Sequence, residues 1–252
     1  MSLINVDDDN GVRRLTLNRP EALNAFTPDL LRMLVDEVQK ANADERVRVM
    51  ILQGAGRAFS AGVDLKVLQG IEPVAGRISN IFDEIAVSAT QIIRTARMPI
   101  IAKVHGFCFT GALEMALHCD FILTTEGTKF GDTHAKWGLR PTWGMSQNLA
   151  RAIGVRRARD LSFTARTFTG AQAHEWGLAN EVAPDLEGLD DLAGERAAAI
   201  SQMSPGAVSA YKKLYRVHEE MLPLEEALIK ETDNEFPEIT DSAERLRGFG
   251  ST

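Results

Sequence analysis

The segment Lys103 to Asp120 concentrates the residues best suited to chemistry. A short apolar run ends at Gly106, a glycine turn runs to Gly111, and a helical pattern from Ala112 to His118 begins at once, with Glu114 in its first turn. A helix that starts directly after a strand points its first unpaired N–H groups, and the positive end of its dipole, away from the strand's end. Glycine at such a turn lets a ligand approach the backbone closely, and a preorganised N–H there can stabilise an oxygen that is gaining negative charge. The Gly111 N–H is such a donor, expected to depend on the conformation that glycine permits. Glu114 lies close enough to share the pocket as a general acid or base.

Other motifs drawn from the same glycines fit less well. Gly106 to Gly111 has the glycine spacing of a nucleotide-binding loop, but Ala112-Leu113 stands where Lys-Ser/Thr is needed. Gly54-Ala55-Gly56 is followed by Phe59 where a dinucleotide fingerprint wants glycine or alanine. Ala58-Phe59-Ser60-Ala61-Gly62 resembles a nucleophile elbow without its first glycine, which leaves Ser60 as a lesser candidate for an acyl-forming serine. His118-Cys119-Asp120 has metal-ligating residue types, but adjacent residues on one element point in different directions, so no metal site is expected. His105 either lines the cleft beside Gly106 or is a satisfied residue at a strand end. Cys108 and Cys119 read as reduced core residues.

The elements that must position these groups are legible from spacing. Residues 2–6 and 12–17 around Asp9-Asn10-Gly11 predict a β-hairpin. Thr27-Pro28-Asp29, followed by Leu30, Leu31, Leu34, Val35 and Val38, predicts a capped amphipathic helix. Val47–Leu52 and Ile100–Val104 are apolar runs that suit strands buried on both faces, and Asp120–Thr124 suits another. The resulting order, β-β-α-β-α-β, is an α/β arrangement. Gln69 to Ala96 is mostly helical in pattern, but Gly70, Pro73 and Gly76 make its start read as a mobile segment, either a lid or a surface loop. Thr169 to Gln172 has capping-box spacing before a short helix that Gly177 can close. Beyond Pro184 the pattern is wholly helical, with caps at Ser204-Pro205 and at Asp241 to Glu244 and a further helical run at Leu224 to Ile229.

Three runs carry a family resemblance: Asn18 to Phe26 (Asn-Arg-Pro-Glu-Ala-Leu-Asn-Ala-Phe), Gly56 to Leu65, and Gly106 to Asp120. Together with Phe130-Gly131, Gly138-Leu139-Arg140-Pro141 and Gly170 to Val182, in order and in register over roughly residues 3 to 215, they resemble the enoyl-CoA hydratase/isomerase (crotonase) superfamily. The resemblance implies a crotonase-like spiral of ββα units with a helical C-terminal oligomerisation region. Residues 1–190 would form the core with the CoA and acyl site, and residues 191–252 the helical region that makes trimer contacts within the same structural unit. It implies a homotrimer or a dimer of trimers acting on an acyl-CoA thioester, with no cofactor beyond the coenzyme A of the substrate.

The resemblance also assigns residues. The thioester oxygen would sit between the N–H groups of Val63 and Gly111, where side-chain identity at Val63 would matter only sterically. Ala22, Asn24, Ala61, Asp64, Leu65 and Lys66 would lie along the bent CoA, mainly through backbone atoms. Glu114 matches one of the two catalytic glutamates of the hydratases; the other falls on His134. Either His134 replaces that glutamate as proton donor or acceptor, with Asp132 tuning it, or it is a hydrogen-bonded pocket wall and Glu114 is the only acid–base group. Trp137 and Trp143 would wall an acyl pocket or serve as core or subunit-contact residues. Lys66, Lys230, Arg245 and Arg247 are candidates for the CoA phosphates, since the chain stops at Gly248 to Thr252 without the aromatic and basic extension usual in the family. The expected reaction is hydration of a 2-trans-enoyl-CoA. The alternatives are isomerisation or another CoA-thioester reaction of the superfamily and, in a different class, non-catalytic acyl-CoA binding.

Composition agrees with such a protein. Of 252 residues, 44% are hydrophobic and 25% charged, enough to build one sizeable core. A net charge of −7 argues against a phosphate-coating nucleic-acid surface. The basic run Arg151 to Arg159 reads as a solvated helix face or a subunit contact. Asp7, Asp8 and Asp9 stand where a signal peptide would be basic and then apolar, and no run approaches a membrane span, so a cytoplasmic protein is expected.

Overall fold

The computed structural model describes residues 2–69, 73–78 and 80–247; Gly70 and Gly248 to Thr252 lie outside the described residues. The hairpin forms as the spacing requires. β1 (Ile4–Asp9) and β2 (Val12–Leu17) pair antiparallel across Asn10 and Gly11, whose φ values of 48° and 83° are those of the two-residue turn that matches strand twist. α1 (Pro28–Ala43) follows, with Thr27 accepting a hydrogen bond from the Leu30 N–H. β3 (Val49–Gly54), α2 (Asn80–Thr95), β4 (Ile100–Val104), β5 (Phe107–Phe109), α3 (Gly111–Ala116), β6 (Phe121–Thr125) and β7 (Lys129–Gly131) come next. α4 (Met145–Ile153), α5 (Val155–Thr164), β8 (Phe168–Thr169), α6 (Gly170–Glu175) and β9 (Glu181–Ala183) lead into the helices α7 (Leu186–Ser201), α8 (Pro205–Glu219), α9 (Leu224–Asp233) and α10 (Ser242–Arg247). Thr169 and Gln172 form the expected reciprocal capping box, and Ser204 caps α8.

The strands occupy two sheets. The larger has the order β1-β2-β3-β4-β6-β9 and is parallel beyond the first hairpin; the smaller has the order β5-β7-β8. Two ββα units are plain in this arrangement. β4 in the large sheet leads to β5 in the small sheet and then to α3, and β6 leads to β7 and then to α4. The unit that starts at β3 follows the same path, because Ser60 bridges Cys108 of β5 in parallel before the chain reaches α2. Residues 107–109 are thus a strand and not part of a glycine turn, as the sequence suggested. Three residues are too few for alternation to register, and their pairing to Lys129–Gly131 is made only in the folded chain.

The apolar runs are buried on both faces, as expected. With side chains alternating along a strand, Met50, Leu52, Ile100, Ala102 and Val104 enter the main core with α1 and α2, whereas Val49, Ile51, Ile101 and Leu123 meet Leu189, Ala193 and Ala197 of α7. Among the described residues no helix is long and apolar enough to cross a membrane.

Two loops are knitted together where the spiral opens. Asn24 is fully buried; its Nδ2 donates to the carbonyls of Ala55 and Ala58, both at 2.8 Å, and its Oδ1 accepts from the Arg19 N–H at 2.9 Å. The Phe26 N–H donates to the Gly62 carbonyl at 2.7 Å and the Asp64 N–H to the Phe26 carbonyl at 2.9 Å. Asn24→Ala would leave three backbone groups, the Arg19 N–H and the carbonyls of Ala55 and Ala58, without their buried partner, so we expect a loss of about 3 kcal/mol in unfolding free energy. Urea denaturation of the variant checks this; a loss below about 1 kcal/mol would mean that the loops hold without Asn24.

Candidate active site

The knitted loop and the start of α3 meet at one point. Gly62 has φ +90°, and a Cβ on it would lie 2.6 Å from the Phe109 carbonyl oxygen and 3.4 Å from the Gly111 nitrogen. Only glycine lets the loop that carries Val63 come this close. Among the hydrogen bonds between described residues, neither the Val63 N–H nor the Gly111 N–H has an acceptor. Both residues line the same cleft, together with Ala61, Leu65, Leu68, Ile78, Thr110, Glu114, Thr133, His134, Trp137, Leu139, Thr142 and Trp143.

Gly111 is needed for a different reason from the one the sequence suggested. Its own φ is not in the left-handed region; the residue that is, Thr110, precedes it at φ 51° and ψ −110°. Thr110 is held there from three directions. Its N–H donates to the Gly131 carbonyl at 2.8 Å, its Oγ1 lies 2.6 Å from that of Thr133, and the Thr133 N–H donates back to Oγ1 at 3.2 Å. Strain held in place by its surroundings is typical of functional sites, and here it sits directly before Gly111 at the start of α3. Gly111 is required by space: a Cβ there would come within 2.5 Å of the Trp143 ring.

Glu114 is only 1% exposed. Its Oε1 accepts hydrogen bonds from the N–H groups of Trp143 and Met145, each at 3.1 Å, at the start of α4. Its Oε2 lies 3.6 Å from His134 Nε2. On the far side of the imidazole, Nδ1–H donates to Asp132 Oδ1 at 2.7 Å, and the Ser162 hydroxyl donates to Asp132 Oδ2 at 2.6 Å. Burial pushes the Glu114 carboxyl from its ordinary 4.5 up to about 7, against the opposing effects of His134 and the two amides. Burial also acts to raise Asp132, but the hydrogen bonds from His134 and Ser162 outweigh it and hold that carboxyl below its usual range. A carboxyl that titrates near neutrality, beside a histidine fixed by a carboxylate, can take up and return protons.

The structure thus brings Ala61, Val63, Leu65, Gly111, Glu114 and His134 together in one cleft. Ala22 and Asn24 are not among the residues that line it: Asn24 is buried, with its side chain committed to loop contacts. Asp64 accepts from Arg19 Nη2 at 2.9 Å and from the Lys66 N–H at 3.0 Å; Lys66 itself is exposed and without an ion pair among the described residues. Lys230 and Arg245 are paired with Glu220 and Asp241. Trp143 is buried over Gly111, and Trp137 is 54% exposed at the mouth. Ser60 is no nucleophile, because its hydroxyl is buried, donating to the Asn24 carbonyl and accepting from the Gly62 N–H. His105 Nε2 donates to the Gly56 carbonyl away from the cleft. His118 donates to the Trp143 carbonyl at 2.8 Å, and Asp120 accepts from the Ile100 N–H and Lys212.

Sequence reasoning missed three parts of this site. The amides that hold Glu114 flank Gly144, φ 109°, whose glycine before a helical run was the available signal. Ser162 and Asp83 carry no local signal, since each reaches its partner only through the packing of a helix.

The raised Glu114 pKa has a consequence for stability. The unfolded chain releases this proton from about 4.5, whereas the folded chain keeps it up to about 7, so stability falls as pH rises through that window. Glu114→Gln removes the penalty. The unfolding free energy of the variant relative to the wild type should therefore increase between about pH 4.5 and about pH 7, by on the order of 2 kcal/mol. Chemical denaturation across that range checks it, and a flat difference would mean that Glu114 ionises normally.

Known proteins share this arrangement of elements. The family model for enoyl-CoA hydratase/isomerase matches residues 7–250. A probable peroxisomal enoyl-CoA hydratase 1 of Arabidopsis thaliana is 35% identical over 207 residues, 82% of this chain and 76% of that protein. The hydroxycinnamoyl-CoA hydratase-lyase of Pseudomonas fluorescens is 32% identical over 213 residues, 83% of this chain and 76% of that protein. The crystal structure of an enoyl-CoA hydratase from Bacillus anthracis superposes with a TM-score of 0.92 at 29% identity, covering 99% of this chain and 96% of that one. With the family model matched over nearly its whole length and the fold shared with solved hydratases, the chain belongs to the enoyl-CoA hydratase/isomerase family.

Proposed function

We propose that the protein is an enoyl-CoA hydratase, a lyase that adds water across the C2=C3 bond of a 2-trans-enoyl-CoA. The observation that carries this is the meeting, in one cleft, of two N–H groups without acceptors among the described residues, Val63 and Gly111, and a buried carboxyl tuned to about 7, Glu114. Hydratases among the relatives support the same reading. The thioester oxygen lies between the two N–H groups and gains charge as hydroxide adds at C3. Such a donor is worth about 10²–10³ in rate.

Protons balance through the Glu114 and His134 pair. Glu114, as carboxylate, takes a proton from water as its oxygen bonds to C3. His134, as imidazolium stabilised by Asp132, gives a proton to C2. Glu114 then passes its proton to His134 across the 3.6 Å between Oε2 and Nε2, which restores both groups. His134 thus stands in for the second glutamate of the hydratases. The loops at 18–26 and 61–66 clasp the CoA, with Lys66 near its phosphates, and no other cofactor is needed.

The helical region 191–252 makes subunit contacts in a homotrimer or a dimer of trimers. The exposed Tyr211, Tyr215, Leu224, Leu228 and Ile229 support this reading. We assign the enzyme to the cytoplasm.

Crotonyl-CoA should be hydrated with an acidic limb of kcat/KM near pH 7, the value that burial gives Glu114. Glu114→Gln should lower kcat about 10³-fold and His134→Ala about 10²-fold while both still bind CoA esters. Hydration assays over a panel of enoyl-CoA esters decide it, and binding without turnover would sink the hydratase reading. An isomerase, the runner-up, would shift the double bond in deuterated water without adding oxygen. Sedimentation equilibrium should give three or six chains, and a monomer would remove the assigned role of residues 191–252.

A further inference from the structure

One wall of the cleft is a strap, Gly138 to Met145, which contributes Leu139, Thr142 and Trp143 and is pinned from several sides. Trp143 alone has three bonds: its N–H to Glu114, its carbonyl to His118, and its indole N–H to Asp83 Oδ1 at 3.2 Å. The Thr142 hydroxyl donates to the same Asp83 oxygen at 2.7 Å. Asp83 comes from α2 and is 4% exposed, so its charge is held inside the protein. Its other oxygen accepts from Arg77 Nε at 3.1 Å. Arg77 belongs to the tight turn in which Val74 and Arg77 bond each other's backbone, and that turn also touches the strap, through the Arg140 N–H and the Gly76 carbonyl at 3.0 Å. Next to Arg77, Ile78 lines the cleft.

A buried carboxylate that spends one oxygen on Thr142 and Trp143, and the other on the turn beside Ile78, fixes two walls of the cleft relative to each other. When the thioester oxygen lies between Val63 and Gly111, and C2 and C3 lie at Glu114 and His134, the rest of the acyl chain must run among Leu68, Ile78, Leu139 and Trp143. We propose that Asp83 is a positioning residue that locks the Trp143 ring as the end wall of the acyl pocket and so sets the length of acyl chain accepted. This rests on the acyl-CoA reading of the cleft. Asp83 does not reach the substrate itself. It acts through the indole, and a tryptophan released from it has room to turn only by giving up the packing over Gly111.

The test compares dissociation constants of butyryl-CoA and octanoyl-CoA, measured by isothermal titration calorimetry on the full chain. In Asp83→Ala the preference for octanoyl-CoA over butyryl-CoA should rise about tenfold. Asp83→Asn keeps an oxygen for Thr142 and Trp143 and should stay within about twofold of the wild type. A wild-type ratio in Asp83→Ala overturns the proposal, as does an Asp83→Asn ratio equal to that of Asp83→Ala, which would place the effect on charge and not on the anchored ring. If Asp83→Ala does not fold, Thr142→Val removes one donor at nearly constant volume and should shift the ratio the same way; no shift overturns the proposal. Both esters are saturated and do not react, so the ratio is read whether or not any enoyl-CoA is hydrated. Binding without hydration sinks the hydratase reading alone.

Discussion

A carboxyl group buried as deeply as Glu114 must be held by donors, and the site is arranged around that requirement. One oxygen takes the amides of Trp143 and Met145 at the start of α4, and the other faces His134. Were those amides elsewhere, the carboxyl would be an unpaired polar group in the core, at a cost of several kcal/mol. Burial offset by two neutral donors and a histidine leaves it near 7, where a proton can be both taken and returned.

The spiral supplies the geometry. Each turn of chain contributes a strand to the large sheet, a pairing segment to the small one, and a helix. The cleft lies where the segment at Ser60, strand β5 and strand β7 run side by side. That side-by-side pairing places Gly62 on the Phe109 carbonyl and Thr110 on Gly131, and so brings two N–H groups from distant parts of the chain to one cleft. The strain at Thr110 is tolerated because three hydrogen bonds made by neighbouring strands and loops hold it.

His134 stands where the family pattern places a glutamate, and its ring is held in one orientation. A glutamate replaced by histidine would be a loss if the ring were free to turn. Here Asp132 and Ser162 fix its Nδ1 side, which leaves Nε2 facing Glu114. The group that faces Glu114 is thus an imidazole backed by a buried carboxylate.

Local physics made much of this readable in the chain itself. The Asn10-Gly11 hairpin, the Thr27 cap, the doubly buried runs at Val49 and Ile100 and the capping box at Thr169 follow from turn chemistry, capping and periodicity, all of which act over a few residues. Glu114 in the first turn after a glycine turn was legible for the same reason, and the motifs in register pointed to Val63 and His134. What only the tertiary structure decided is how groups far apart in sequence satisfy one another. The three-residue strand at Cys108 exists because Ser60 and Phe130 flank it. Gly111 is needed because Trp143, from a strap thirty residues on, lies over it. Asn24, a family-motif residue, spends its side chain on knitting two loops together, and Asp83 and Ser162 reach the site only because helices α2 and α5 pack beside it. Hydrogen bonds and steric contacts between distant segments leave no period in the sequence, because their spacing is set by the fold.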